Sequence, residues 1–310
     1  MSAAVTRGGG PVVWVPYPEV VSDLPDSLVV DFYDGEVEPP DSLSQVEFYV
    51  APYTFAVPPL ELMARMPALR VVQTLTAGYE HVLPYLPAGV TLCNAGRLHD
   101  ASTAELAVAL MLASRRGLPD FVRGQDAREW RHRRWESLAD ATVLIVGYGG
   151  IGAAIERRLA GFEVEVLRVA RRARPGVAEW AALPDLLPRA DIVVLCVPLN
   201  DQTRGMVDAD FLARMRDGAL LVNVARGPVV DTTALLVELD KGRIRAAVDV
   251  TDPEPPPPDH PLWDAPGLLI TPHVGGNSTA FLPRARRLII DQLRRYAAGE
   301  PLEHVVVPAS

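Results

Sequence analysis

The chain has 310 residues, about two domains' worth at roughly 150 residues each. With 49% hydrophobic and 22% charged residues it is composed like a soluble globular protein, which excludes disorder of the whole chain. A net charge of −9 disfavours a nucleic-acid binder, and the longest apolar runs, such as Ala219–Ala225, are far shorter than the ~20 residues of a membrane helix.

From the N-terminus, the opening segment MSAAVTRGGG lacks the apolar stretch of a secretory signal. Short β-rich runs follow at Val12–Val15, Leu28–Tyr33, Val46–Val50, Leu69–Leu75 and Val90–Asn94. A helix is expected over Pro58–Met66, with proline at its entry. Alternation of this kind predicts parallel sheets with helices on their faces. Cys93 and Cys196 lie inside hydrophobic runs and read as buried neutral thiols, which fits a reducing cytoplasm. No metal site is expected.

Ser102-Thr-Ala-Glu105 reads as a capping box, opening an almost wholly apolar helix, Leu106–Ser114, that must be covered on most faces. Arg115, Arg116 and Gly117 suit its C-terminus. The Arg- and Trp-rich arm that follows, Phe121–Trp135, is expected to dock on something, because Trp130 and Trp135 are costly to leave in water. The second half predicts strands at Thr142–Val146, Glu163–Ala170, Asp191–Val197, Ala219–Val224, Ile244–Val250 and Leu268–Ile270. Helices are expected at Ile151–Ala160, Asp208–Met215, Thr232–Asp240 and Ser278–Ala298, the last able to pack back on the first domain.

One motif stands out: a strand, Thr142–Val146, running into Gly147-Tyr148-Gly149-Gly150-Ile151-Gly152 and then a helix. Gly147 permits the tight turn, Gly149 lets the backbone approach a pyrophosphate, and Gly152 lets the helix pack closely on the strand. The helix N-terminus then offers N–H groups to phosphate. A dinucleotide held at its ribose hydroxyls needs an acid at the end of the next strand. That place is taken by Ala170, followed by Arg171 and Arg172. Loss of the carboxylate removes repulsion against a 2′-phosphate, and guanidinium groups can grip one, so NADP(H) is expected, with NAD(H) as the lesser cofactor.

Further segments are Gln73-Thr-Leu-Thr-Ala-Gly78, Asn94-Ala-Gly, Asn223-Val-Ala-Arg226-Gly-Pro-Val-Val-Asp231, Asp249-Val-Thr-Asp-Pro-Glu254-Pro and Thr271-Pro-His273-Val-Gly-Gly. Together with the glycine loop, from about Val46 to the last helix, the chain resembles the D-isomer-specific 2-hydroxyacid dehydrogenases. The resemblance implies an α/β chain of two Rossmann- or flavodoxin-like parallel-sheet domains, the cofactor domain inserted into the substrate domain. Residues 1–98 and 276–310 would form the substrate domain and 99–275 the dinucleotide-binding domain. It also implies a homodimer, with the helix after Ser102 and the Trp130/Trp135 arm at the interface. Because the chain stops soon after its last helix, the long phosphoglycerate dehydrogenases are the less expected branch.

Reduction of a 2-keto acid needs a grip on the carboxylate, polarisation of the keto oxygen and a proton donor. Arg226 follows an apolar strand at the sheet's C-terminal edge, and its fork can hold carboxylate and carbonyl together. His273 also follows a strand, and Glu254, if bonded to the imidazole, would keep a proton on it. By resemblance, Arg226, Glu254 and His273 are the catalytic residues. The backbone of Thr76, Ala77 and Gly78 looks like the carboxylate cradle, and Tyr53 and Phe55 resemble the substrate side-chain pocket. Thr103, Val197, Pro198, Val224, Ala225, Asp249 and Gly275 look cofactor-proximal. His81, His99, His132, His260 and His304 read as structural. Tyr79-Glu80 departs from the family's usual small apolar residue and Asp, which affects pocket shape. Pro255–Pro258 reads as a stiff loop spacer.

The reading is a reductase of small 2-keto acids such as glyoxylate or hydroxypyruvate. The alternatives are a phosphite- or formate-type dehydrogenase, which uses the same Arg, Glu and His, or a dinucleotide-sensing corepressor or scaffold of the same fold.

Overall fold

The computed structural model describes residues 9–54 and 56–309. In chain order the strands are β1 (Val12–Val15), β2 (Val29–Phe32), β3 (Val46–Val50), β4 (Val71–Gln73), β5 (Thr91–Cys93), β6 (Thr142–Val146) and β7 (Glu165–Ala170). They continue as β8 (Ala178–Glu179), β9 (Ile192–Leu195), β10 (Leu220–Asn223), β11 (Arg245–Val248), β12 (Leu268–Ile270) and β13 (Val305–Val307). The helices are α1 (Pro58–Glu61), α2 (Asp100–Arg115), α3 (Leu118–Asp126), α4 (Gly150–Leu159), α5 (Leu183–Leu186), α6 (Ala209–Arg214), α7 (Thr232–Asp240) and α8 (Phe281–Ala298). None of the described helices is long and apolar enough to cross a membrane.

The chain divides into two compact units, Met1–His99 with Thr279–Ser310, and Asp100–Ser278. The breaks fall at 99/100 and 278/279, where the sequence reading placed them at 98/99 and 275/276. In the first unit the strand order is β13-β5-β4-β3-β1-β2. Its parallel part, 2-1-3-4-5, is the flavodoxin-like order. β13 pairs with β5 antiparallel, so this sheet is mixed rather than parallel throughout. Val13 and Val15 point to a core closed by Ile289 and Leu293 of α8. Trp14, between them, points to the opposite core with Tyr49 and Met63. Both faces are covered, which is why these strands read as unbroken apolar runs.

The second unit holds β12-β11-β10-β9-β6-β7-β8, parallel throughout. Its central strands repeat the 3-2-1-4-5-6 order of a dinucleotide-binding sheet. Leu144 and Val146 face one core, Val143 and Ile145 the other.

Local chemistry corrects several expectations. α2 starts at Asp100, so Ser102 lies inside the first turn and is no cap. Its Oγ instead shares a 2.7 Å hydrogen bond with Ser278 Oγ. Residues 121–126 of the expected arm belong to α3, which starts at Leu118 with Pro119 in its first turn. The expected helix over Pro58–Met66 is the short α1 followed by a 3-10 turn, Leu62–Arg65. α8 begins at Phe281, three residues later than expected. Cys93 is buried but Cys196 only partly so, and neither forms a disulfide. Burial pushes the Cys93 thiol up to about 11 and the Cys196 thiol up to about 12.

Candidate active site

The glycine loop is shaped by contacts that exclude side chains at some positions and leave space at another. Gly147 sits at φ +100°, and a Cβ there would meet the Cys196 carbonyl 2.6 Å away. A Cβ on Gly152 would run into the Gly147 carbonyl. At Gly149 a Cβ would find nothing within 4 Å. Space at the middle glycine, beside the N-terminal turn of a ten-residue helix, fits a pyrophosphate brought against backbone N–H groups. Thr103 and Gly275 are neighbours: a Cβ on Gly275 would lie 3.5 Å from Thr103 Oγ1. Val197, Val224 and Ala225 turn their side chains into the core, and Pro198 is exposed.

Around the adenosine end, Ala170 closes β7 and is buried. Arg171 and Arg172 follow it, exposed, and form no ion pair among the described residues. Arg168, two residues earlier on β7, is committed to Glu156 of α4 through Nε (2.8 Å) and a second guanidinium nitrogen. The Arg168 guanidinium holds the Glu156 carboxyl below the usual carboxylate range. Tyr148 donates its hydroxyl to the same carboxylate, and its backbone carbonyl accepts from Arg174. Sequence reasoning overlooked Arg174, although Arg-Arg-Ala-Arg at 171–174 was in plain view.

Arg226, Glu254 and His273 follow β10, β11 and β12, which are adjacent in the sheet, so their loops cluster at one C-terminal edge. Gly227 lets the turn after Arg226 press against the Thr251 carbonyl, where a Cβ has no room. Arg226 is half-buried, and one of its terminal nitrogens donates to the Ala225 carbonyl (2.8 Å). His273 Nδ1 pairs with a Glu254 carboxylate oxygen. The histidine backbone is left-handed, φ +52°, an unusual state for a side-chain-bearing residue. Asp249, 3% exposed, holds that loop. Its Oδ1 accepts from Thr271 Oγ1 (2.6 Å) and the Val274 N–H (2.9 Å), and its Oδ2 from the Gly275 N–H (2.8 Å). This loop-holding work is a feature the sequence did not reveal, because the partners lie 22–26 residues away.

In the first unit, residues 76–78 follow β4. The backbone N–H groups of Thr76, Ala77 and Gly78 donate to no described residue, whereas the Thr76 and Ala77 carbonyls are both bonded. The Tyr53 ring packs tilted against Phe281 (centroids 4.3 Å apart) and stands 5.6 Å from the His99 ring. It is thus held in an aromatic cluster as well as half-exposed. Phe55 lies outside the described residues. His99 Nε2 bonds the Leu75 carbonyl (2.8 Å), and His260 caps a 3-10 turn, as structural histidines do.

Trp135 of the arm is partnered by its own chain, edge-on to Phe121 and under the Arg133 guanidinium 4.0 Å from its ring centre. The Trp130 side chain is 95% exposed. Leu118, Phe121 and Val122 of α3 are also exposed.

Comparison with known proteins places these features in a family. Residues 108–275 match the model of the D-isomer specific 2-hydroxyacid dehydrogenase NAD binding domain. The human glyoxylate reductase/hydroxypyruvate reductase is 32% identical over 250 residues, covering 76% of each chain. A glyoxylate reductase of Pyrococcus horikoshii is 31% identical over 306 residues, covering 91% of each. Among solved structures, the NADPH-dependent glyoxylate/hydroxypyruvate reductase of Sinorhizobium meliloti in complex with NADP and sulfate superposes with a TM-score of 0.80. It is 29% identical, over 96% of this chain and 98% of that one.

Proposed function

The chain belongs to the D-isomer specific 2-hydroxyacid dehydrogenase family, and on that premise we propose that it reduces a small 2-keto acid with NADPH as preferred cofactor. Glyoxylate and hydroxypyruvate are the substrates favoured, since relatives similar over most of both chains are named as glyoxylate or glyoxylate/hydroxypyruvate reductases. The observation that carries the reading is the His273–Glu254 pair, its histidine on a loop that Asp249 pins and its glutamate after the strand next to that of Arg226.

A bound nicotinamide cofactor supplies the hydride. The protein's residues do the rest. Arg226 draws electron density from the keto oxygen and pairs with the carboxylate, which a planar fork allows at once. His273, held through Nδ1 by the Glu254 carboxylate, donates its proton from Nε2 to the keto oxygen as negative charge develops there. Glu254 holds the imidazole through Nδ1 and so sets the ring orientation from which Nε2 donates. The N–H groups of Thr76, Ala77 and Gly78 form a carboxylate cradle on the first unit.

The residues present fit a dinucleotide. The backbone of Gly147, Tyr148, Gly149, Gly150, Ile151 and Gly152 would hold the pyrophosphate, with Arg171 and Arg172 at the 2′-phosphate. Thr103, Val197, Pro198, Val224, Ala225, Asp249 and Gly275 would line the nicotinamide end. Exposed Leu118, Phe121, Val122 and Trp130 support a homodimer through α3 and the arm.

The test is loss of NADPH absorbance with a panel of 2-keto acids. Turnover of glyoxylate or hydroxypyruvate at rates above 1 s⁻¹, an ordinary enzymatic rate on the order of those expected, supports the reading. No turnover of any acid in the panel by NADPH-binding protein sinks it.

A further inference from the structure

The cradle at residues 76–78 is aimed from behind. A peptide is planar and trans, so its C=O and the following N–H point in opposite directions. The Thr76 carbonyl accepts from the Ala95 N–H (3.0 Å) and from Thr74 Oγ1 (3.2 Å). The Ala77 carbonyl accepts from Asn94 Nδ2 (2.7 Å). Pinned in this way, the N–H groups of Ala77 and Gly78 must face away from the Asn94–Ala95 segment, and neither donates to any described residue.

Asn94 is itself fixed on every side. Its Oδ1 accepts from the Gly96 N–H (3.0 Å), its N–H donates to the His304 carbonyl (3.1 Å), and its carbonyl accepts from Gln73 Nε2 (2.9 Å). Gln73 and Gln292 are 0% and 1% exposed. Gln292 Nε2 donates to Gln73 Oε1 (2.7 Å), and Gln292 Oε1 accepts the Glu303 N–H (2.9 Å). A chain of amides, buried at Gln292 and Gln73 and half-buried at Asn94, therefore runs from α8 to the Ala77 carbonyl. Networks of this kind rigidify what they hold.

We propose that Asn94 is a positioning residue: its side-chain amide holds the Ala77–Gly78 peptide so that the Gly78 N–H meets the carboxylate of the substrate. The proposal rests on the cradle role given to residues 76–78 above. Asn94 touches no reacting atom. Removing its side chain lets that peptide turn and leaves the Ala95–Thr76 bond, and with it the Ala77 N–H, in place.

Oxalate, a dicarboxylate lacking a reducible carbonyl, is the probe, titrated calorimetrically into NADPH-loaded protein. For Asn94→Ala, oxalate binding and KM for glyoxylate should each weaken by roughly tenfold, the size expected for one charge-assisted hydrogen bond. Affinity for NADPH should stay within about twofold. Asn94→Asp is nearly isosteric and keeps the Gly96 acceptor, but sets a carboxylate against the Ala77 carbonyl; it should weaken oxalate at least as much. Oxalate binding within twofold of wild type in both variants overturns the role of Asn94 and leaves the cradle standing. Equal losses in NADPH and oxalate affinity overturn it too, as the mark of a merely structural residue. If the wild-type protein turns over glyoxylate but binds no oxalate, the cradle and this role fall together.

Discussion

The N–H of His273 donates to the carbonyl of Asp249 (2.8 Å), while the carboxylate of the same aspartate takes the N–H groups of the next two residues, Val274 and Gly275. One buried residue thus brackets the histidine's backbone, through its carbonyl and its carboxylate. A left-handed φ costs about 1–2 kcal/mol at a residue with a side chain and persists only where its surroundings impose it. Asp249 is what imposes it here.

Asp249→Asn tests this. The substitution preserves shape but sets an NH2 group or a weaker acceptor against the three donors, of which Gly275 N–H has no other described partner. A loss of about 2 kcal/mol is expected for a disrupted bond to a buried charge. At roughly 2–4 °C per kcal/mol, the melting temperature should fall by roughly 4–8 °C in calorimetry. The kcat should drop by at least about tenfold, as a misplaced donor does. Unchanged kcat and melting temperature would show that the loop holds itself.

His273 and Arg226 separate by kinetics. His273→Ala removes the proton donor and should lower kcat by about 10²–10⁴, with NADPH affinity retained. Arg226→Ala removes a contact made both before and during the reaction. It should raise KM for the keto acid as well as lower kcat. Steady-state assays with glyoxylate decide: a His273→Ala enzyme with near-wild-type kcat contradicts the donor assignment.

Which parts of this were legible in the sequence follows from where the information lies. The strand–glycine-loop–helix unit and the residues after β10, β11 and β12 are local patterns, each a strand end followed by a chemically loaded turn. Once parallel order brings those strands side by side, Arg226, Glu254 and His273 gather without further information. The helix α3 was also written locally, in Leu118-Pro119-Asp120, but the arginines and tryptophans around it drew the reading toward a docking arm. Ser102 misled because Ser-x-x-Glu also occurs inside a helix, here two residues past its start. Asn94 and Asp249 were quoted as parts of motifs, yet their work is done on atoms 17 and 22–26 residues away, which no local pattern encodes.

Trp130 carries the assembly prediction. A tryptophan 95% exposed, beside exposed Leu118, Phe121 and Val122, is an apolar patch that a second copy would cover. Sedimentation should find a dimer at micromolar concentration. Trp130→Glu should weaken dimerisation at least tenfold, since interface tryptophans commonly contribute about 2 kcal/mol or more. A monomer at micromolar concentration in the unmodified protein would sink the prediction.

Cofactor choice depends on a few residues at the end of β7. Ala170 offers no carboxylate to the adenosine ribose, so nothing at that position favours NADH or repels a 2′-phosphate. Arg168 adds little net charge, because Glu156 already compensates it. Arg171 and Arg172 are exposed and form no ion pair among the described residues, so their charge is available to a ligand. Hydrogen bonds to a charged group contribute about 1.5–3 kcal/mol each, or roughly tenfold to a hundredfold in affinity. The kcat/KM should therefore favour NADPH over NADH by at least about tenfold. Replacing both arginines by alanine should erase most of that preference while leaving kcat with NADH little changed. Ala170→Asp should turn it toward NADH, by restoring an acceptor for the ribose hydroxyls and repelling the phosphate. Equal or better kcat/KM with NADH in the unmodified protein would refute the assignment, and would mean that the arginine pair serves the surface rather than the cofactor.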